Sequence, residues 1–313
     1  MSTSDKATRP LPATDPNPNV STEAAAGAVP STQPSQRDTA LAEGEIVGSR
    51  FRLTKLLGAG GQGEVWRAED LEITGHVVAL KLLFDRARTP AEKDLQLREL
   101  RMLASVSHPA VVQFKEHGWL GGRLWFVMPF LAGKSLEEQM PITRAEARRV
   151  FESLAGGLSA VHKKGLRHQD IKPANIFLAE IDGLDHPMPV LLDFGVAAKE
   201  GEVLVAGSPD YFAPELAGGW PVPEHIGPEA DVFALALALR NALEPTTAPS
   251  LDAFDPVSLV RRARERIAPP SAPGLAFLGP SFERWLAIEP EKRPTAEGLR
   301  RELEILTRPE DRR

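Results

Sequence analysis

The sequence predicts an α+β protein of two lobes, a small five-stranded antiparallel β lobe with one main helix followed by a larger, mainly α-helical lobe. Over about residues 45–128, apolar and polar residues alternate in short runs broken by glycine turns, which is the period of half-buried strands. Beyond Leu131-Ala132-Gly133 the period lengthens to that of helices, and several segments open with Ser, Thr or Pro. Residues 1–44 differ from both: they are rich in Ser, Thr, Pro and Ala and have hardly any large apolar side chains. Such a stretch cannot bury enough surface to offset the entropy of ordering, so a disordered tail is expected. One domain is expected over 45–308, with a first lobe at about 45–128, a hinge at 129–132, a second lobe at 133–308, and a short tail at 309–313.

Phe51-Arg52-Leu53-Thr54-Lys55-Leu56-Leu57 alternates as a strand, a glycine turn follows, and Glu64-Val65-Trp66-Arg67-Ala68 returns as its hairpin partner. His76 to Phe84 is the third strand. Ala91 to Val106 has helical spacing, with Leu95, Leu100, Leu103 and Val106 as its apolar stripe. Val111 to His117 and Arg123 to Met128 complete the sheet. In the second lobe helices are predicted at Thr143 to His162, Glu229 to Leu243, Pro256 to Ile267, Ser281 to Ile288 and Thr295 to Leu306. No internal repeat is present.

At 313 residues and 42% hydrophobic, the chain can bury one large core or two lobes. Its longest unbroken apolar run, Val232 to Leu239, falls far short of the roughly 20 residues a bilayer span needs. The start carries no charged-then-apolar signal pattern, so a cytosolic protein without a membrane span is expected. Cysteine is absent, which excludes disulfides and thiolate metal sites and fits a reducing compartment. A net charge of −6, with Lys and Arg scattered, argues against nucleic-acid binding.

The chemistry concentrates in His168-Gln169-Asp170-Ile171-Lys172-Pro173-Ala174-Asn175 and, downstream, Asp193-Phe194-Gly195. An alcohol attacking the terminal phosphate of ATP needs a carboxylate to orient it and take its proton, and hard oxygen ligands to hold Mg²⁺. Asp170 can be that carboxylate; Asn175 and Asp193 can be those ligands. Upstream, Gly58-Ala59-Gly60-Gly61-Gln62-Gly63-Glu64-Val65 places glycines where backbone must arch over phosphates, and it leads into Val78-Ala79-Leu80-Lys81. Alone, such a glycine motif can equally open a dinucleotide fold or be an ordinary turn. In register with the other motifs, it completes the order glycine loop, lysine, base, metal ligand.

On these residues the chain resembles the eukaryotic-like serine/threonine protein kinase family, as a bacterial-type member, from about Ile46 to about Leu306. The resemblance implies an ATP- and Mg²⁺-dependent enzyme with protein substrates. It places Lys81 on the α and β phosphates, with Glu99, nine residues before His108-Pro109, as its anionic partner. It makes Asp170 the base, puts Lys172 on the transferring phosphate as serine/threonine-directed members do, and gives the metal to Asn175 and Asp193. The backbone of Gly58, Gly60, Gly61 and Gly63 would cover the phosphates. Val65, Ala79 and Phe177 would sandwich the adenine, Met128 would guard the back of its pocket, and Pro129 and Leu131 would meet it with a carbonyl and an N–H. His168, Phe194, Leu103 and Phe114 match an apolar column linking the lobes, so His168 is expected to be packed and hydrogen-bonded. Gly207 to Glu215 resembles a peptide-binding segment, with Glu215 paired to Arg293 and Asp231 holding the catalytic loop.

Two departures from the family pattern agree with each other. Gln169 replaces the arginine that usually precedes the base, and Val196 to Gly207 contains no Ser, Thr or Tyr. That arginine clamps a phosphate on this segment, and here both clamp and hydroxyl are absent, so activity independent of activation-segment phosphorylation is expected. Ser135 and Ala174 stand where arginine-selecting members carry glutamates, so no strong preference for upstream basic residues is expected. The Ser- and Thr-rich tail, at Thr14, Thr22, Thr32 or Thr39, is a candidate for autophosphorylation. Two alternatives stay open: a non-catalytic nucleotide-binding relative, against which the complete residue set argues, and a small-molecule kinase, against which Ser208 to Glu215 argues.

Overall fold

The computed structural model describes residues 41–60, 62–193, 198–199, 208–217, 226–245, 261, 265 and 273–306. The chain divides into two units, Met1–Leu41 and Ala42–Arg313, and the architecture below is that of the second. The predicted tail through residue 40, the hydroxyl-free stretch other than Ala198–Lys199, Phe194 and most of the Pro256 to Ile267 helix lie outside the described residues; Arg261 and Glu265 are helical.

The first lobe is a six-stranded antiparallel sheet in the order β1-β2-β3-β4-β6-β5, formed by β1 (Ile46–Val47), β2 (Phe51–Ala59), β3 (Gly63–Asp70), β4 (Val77–Arg86), β5 (Glu116–Leu120) and β6 (Arg123–Pro129). The strand beyond the expected five is β1, which folds back so that Val47 pairs with Phe51. Its turn holds Gly48 in the left-handed region at φ 61°, and a Cβ there would press into the Trp125 ring at 2.6 Å. In β2 the alternation holds through Phe51 and Leu53, both buried, and then fails: Leu56 and Leu57 are exposed. Two register shifts against β3, after Leu53 and after Leu56, cause this by rotating the strand out of phase as it enters the glycine turn.

The helix Pro90–Ala104 lies against this sheet through Leu100, which packs with Leu124 and Phe126. Leu95 is a correction to the predicted stripe. It is 53% exposed, while Leu97 packs against the cluster instead. The strand expected from Val111 begins only at Glu116, because Val111 and Val112 are drawn into the other lobe. Val111 bridges Leu191 in parallel, and Val112 N–H donates to the Leu191 carbonyl at 3.1 Å.

The second lobe is built on the helices Arg144–His162, Glu229–Leu243, Gly279–Trp285 and Ala296–Leu306. Arg144–His162 starts where Thr143 and Glu146 form a reciprocal capping box, each side chain taking the other's backbone N–H. Glu229–Leu243 is apolar almost all round, and every residue from Val232 to Leu239 is buried. Helical periodicity gave no sign of the short strands that accompany these helices. Gly133–Ser135, Ile176–Ala179 and Met188–Leu191 form a three-stranded sheet, and Leu166–Arg167 pairs with Ala198–Lys199. These pairings frame the loop that carries Asp170.

Arg293 closes the lower end. It makes a bidentate pair with Glu215 at 2.7 and 2.8 Å and donates further to the carbonyls of Ala287, Ile288 and Glu229. Both side chains are buried, 0% and 3% exposed, so the fork's donors are nearly all spent on desolvated acceptors.

Candidate active site

Asp231 sits in the first turn of the Glu229–Leu243 helix and is 2% exposed. Its Oδ2 accepts the backbone N–H of His168 at 2.7 Å, and Oδ1 accepts that of Gln169 at 2.9 Å. Gln169 has φ 67°, a left-handed conformation that a residue with a Cβ adopts only at a cost. The two bonds from one buried carboxylate hold that turn. Burial pushes the Asp231 carboxyl up, but the His162 hydrogen bond and the charges and N–H groups around it outweigh burial and keep it below the usual carboxylate value. The clamp is therefore ionised.

His168 is fully buried, and burial lowers its pKa, so the ring is neutral. Its tautomer follows from its neighbours. Nε2 lies 2.9 Å from the Leu192 carbonyl, which can only accept, so Nε2 carries the hydrogen. Nδ1 then accepts the Asp170 N–H at 3.3 Å. His168 is thus a packed, hydrogen-bonded core residue.

The Asp170 side chain projects from this loop into a cavity of about 510 Å³ between the lobes. Its Oδ2 accepts from Asn175 Nδ2 at 2.8 Å and from Lys172 Nζ at 3.1 Å. Its Oδ1 is buried and has no hydrogen-bond partner among the described residues, which leaves acceptor capacity unused on a residue that lines the cavity. Burial pushes the Asp170 carboxyl up; the Lys172 charge and the hydrogen bonds of Ser208 and Lys172 outweigh it, and the group stays below the usual value and ionised. Ser208 accepts from Lys172 Nζ at 2.6 Å.

Asn175 gives both its bonds through Nδ2, to the carbonyl and to Oδ2 of Asp170, so its amide oxygen is turned away from them. Asp193, held at φ 60°, pairs with Lys81 through Oδ1. Lys81 is buried and comes from β4, facing Phe126 of β6 across the register. The side chain of Glu99, the expected partner of Lys81, lies outside the described residues, although its backbone is helical.

The same cavity is lined from above by Gly58, Gly60, Gly63 and Val65 and from behind by Met128. A Cβ on Gly58 or Gly60 would meet nothing within 4 Å. Packing of the chain itself thus does not demand glycine there. At Gly63 the reason is different, because a Cβ would run into the Leu82 carbonyl. Gly61 lies outside the described residues. Ala79, Pro129, Leu131 and Phe177 do not line the cavity, which is instead completed by Leu57, Gln62, Val112 and Leu192, residues that the sequence motifs did not single out. Leu57 carried a signal, since an apolar residue just before a phosphate-covering turn faces whatever lies below it.

The donor set fits a nucleotide with a divalent cation. Two hard oxygens, from Asn175 and Asp193, line one wall of the cavity, two ammonium groups, from Lys81 and Lys172, stand within it, and a glycine hairpin leaves its Cβ space open above. No cluster of three His, Cys, Asp or Glu occurs among the described residues.

Comparison with known proteins agrees with this geometry. The protein kinase domain model matches residues 51–262. The chain is 35% identical to the serine/threonine-protein kinase pkn2 of Myxococcus xanthus over 187 residues, 56% of this chain and 22% of that protein. It is 30% identical to the serine/threonine-protein kinase PkaA of Streptomyces coelicolor over 283 residues, 83% of this chain and 50% of that protein. The DNA damage-responsive serine/threonine-protein kinase RqkA of Deinococcus radiodurans is 33% identical over 215 residues, 64% of this chain and 30% of that protein. The matched parts thus cover between about a fifth and a half of these curated relatives' lengths. The chain belongs to the protein kinase domain family.

Proposed function

We propose that this protein is an ATP-dependent serine/threonine protein kinase that transfers the γ-phosphoryl group to hydroxyls of protein substrates. The observation that carries the reading is Asp170: an ionised carboxylate lining the cavity, with one oxygen fixed by Asn175 and Lys172 and the other buried without a hydrogen-bond partner among the described residues. An oxygen so placed can accept the hydrogen of an incoming alcohol and aim it. Lys172, bonded to both Asp170 and Ser208, can neutralise charge on the transferring group, and Lys81 can hold the phosphates behind it. Mg²⁺ bound at Asn175 and Asp193 would supply charge neutralisation on the phosphate oxygens. Glu99 is proposed as the anion that steadies Lys81 once Asp193 turns to metal. Adenine is proposed to lie beside Val65 and Met128, reaching Ala79 and Phe177 on its faces and Pro129 and Leu131 at the hinge.

Regulation by activation-segment phosphorylation is proposed to be absent, since Gln169 is neutral and Val196 to Gly207 has no hydroxyl. The tail threonines are proposed autophosphorylation sites, and a cytoplasmic location is the reading that the cysteine-free composition favours. Among the described residues no helix is long and apolar enough to cross a membrane. Incubation of the purified protein with ATP, Mg²⁺ and a generic protein substrate, followed by peptide mass spectrometry, tests the reading. Phosphoserine or phosphothreonine on the substrate is expected, still forming after exhaustive phosphatase treatment of the enzyme. Nucleotide binding with no phosphopeptide at all would point to the non-catalytic alternative.

A further inference from the structure

We propose that the corner where the β5–β6 turn meets the end of β4 binds a phosphate group between the guanidinium groups of Arg123 and Arg86, a site separate from the nucleotide cavity, whose lining includes neither residue. Arg123 opens β6 directly after Gly121-Gly122 and pairs across that turn with Leu120. It is only 7% exposed. Its Nε is buried without a hydrogen-bond partner, and the side chain enters no ion pair or ring contact among the described residues. A guanidinium does not lose its proton in a protein, so a buried one must find an acceptor or bear a large desolvation cost. On β4 the residue directly opposite Arg123 is no acid but Arg86, an exposed second cation on the same face of the sheet. Like charges set directly opposite each other in an antiparallel pair are destabilising.

One anion answers both. Two guanidiniums on neighbouring strands offer forked N–H donors that match phosphate oxygens, and a phosphate's charge of about −2 offsets two cations where a carboxylate offsets one. The acid that shares this face is Glu64, which lines up across the sheet with Leu82 and Trp125, two residues along β6 from Arg123. It is itself buried, 4% exposed, and forms no ion pair with Arg123. The corner is well fixed: the Ala87 N–H donates to the Gly122 carbonyl at 2.9 Å, and Gly121 and Gly122 take φ 57° and 83°, as a two-residue hairpin turn requires. Ala87, Arg88 and Thr89 then lead directly into the helix Pro90–Ala104, so a phosphate here would brace the entry to the helix that carries Glu99. The same contacts serve inorganic phosphate and a phosphorylated side chain of a protein, and the test separates the two.

Inorganic phosphate is titrated at constant ionic strength into wild type, Arg123→Gln, Arg86→Gln and Lys81→Met, read by thermal unfolding and by hydrogen exchange at the Ala87 amide. Wild type and Lys81→Met should each gain about 3 °C at roughly ten times the dissociation constant, with Ala87 exchange slowed severalfold. Arg123→Gln and Arg86→Gln should each bind phosphate at least about tenfold more weakly. A phosphothreonine amide that binds more tightly than phosphate assigns the site to a phosphorylated protein; equal affinity assigns it to the free anion. No shift beyond that of matched chloride overturns the site. A shift lost in Lys81→Met but kept in Arg123→Gln puts the phosphate in the nucleotide cavity and overturns it equally. If Arg123→Gln does not fold, wild-type affinity in Arg86→Gln overturns it. Glu64→Gln should bind phosphate no more weakly than wild type. Equal losses of melting temperature in Glu64→Gln and Arg123→Gln that do not add in the double variant would mean that those two side chains pair with each other, and the site falls. None of these readouts involves phosphoryl transfer, so they decide the site whatever becomes of the kinase reading.

Discussion

The two halves of the cavity are built differently. The loop from His168 to Asn175 is fixed by buried polar groups that leave it little choice: Asp231 holds two of its N–H groups, His168 bridges Leu192 and Asp170, and Asn175 ties back to Asp170. The glycine hairpin opposite has two register shifts, exposed Leu56 and Leu57, and two glycines, Gly58 and Gly60, whose Cβ positions open into empty space. In the loop, precision comes from hydrogen bonds in a low-dielectric interior and is present before any ligand arrives. The hairpin shows no comparable set of hydrogen bonds from buried side chains among the described residues, so the two walls of the cavity differ in how firmly their own contacts fix them.

That contrast can be broken most severely at Asp231. Asp231→Ala strands the N–H groups of His168 and Gln169 and the donor of His162, and is expected to cost about 3–5 kcal/mol in urea denaturation, with activity lost in what remains folded. A change below about 1 kcal/mol would mean that the loop holds its strained turn unaided.

A pH dependence sharpens the same half. The folded-state pKa of His168 lies below its ordinary value of 6.5 because burial disfavours the charged ring. The unfolded chain therefore binds more protons as pH falls through about 6.5, so this histidine's contribution is fully present above that pH and is lost below it. Between pH 7 and pH 5.5 the wild type should lose stability more steeply than His168→Phe, by about 1 kcal/mol per pH unit. Parallel slopes would mean that His168 titrates alike in the folded and unfolded chains and is not held neutral by burial.

At the hairpin the effect should reverse in kind. Gly60→Ala adds a methyl that meets nothing within 4 Å at a residue lining the cavity, so unfolding free energy should change by less than about 1 kcal/mol while ATP affinity falls severalfold by calorimetry. A large stability loss with unchanged affinity would show that the glycine serves the fold instead.

The sequence displayed these halves unequally. Lys81, Asp170, Lys172, Asn175 and Asp193 stand in short motifs whose spacing is set by local chain geometry, and all five line one cavity. Helix Glu229–Leu243 was legible to its end residues because its apolar run is long and unbroken. What local pattern does not encode is phase and distance. The shifts in β2 that expose Leu56 and Leu57 arise from pairing with β3, the exposure of Leu95 from how its helix is rotated on the sheet, and the late start of β5 from Val111 crossing to Leu191. His162 was silent for the same reason: its partner Asp231 is 69 residues away, and a histidine at a helix end has no periodic signature.

The central claim, that a pre-aimed Asp170 carries phosphoryl transfer, is tested most directly by single-turnover transfer from ATP to a protein substrate with wild type and Asp170→Asn. The asparagine keeps the side chain's shape and its bonding partners nearby but removes the charge and the second acceptor oxygen, so the two proteins should melt within a few degrees of each other. A transfer rate at least about a hundredfold lower is expected in Asp170→Asn, with ATP binding retained. A variant that folds, binds ATP and transfers phosphate within about threefold of the wild-type rate would contradict it.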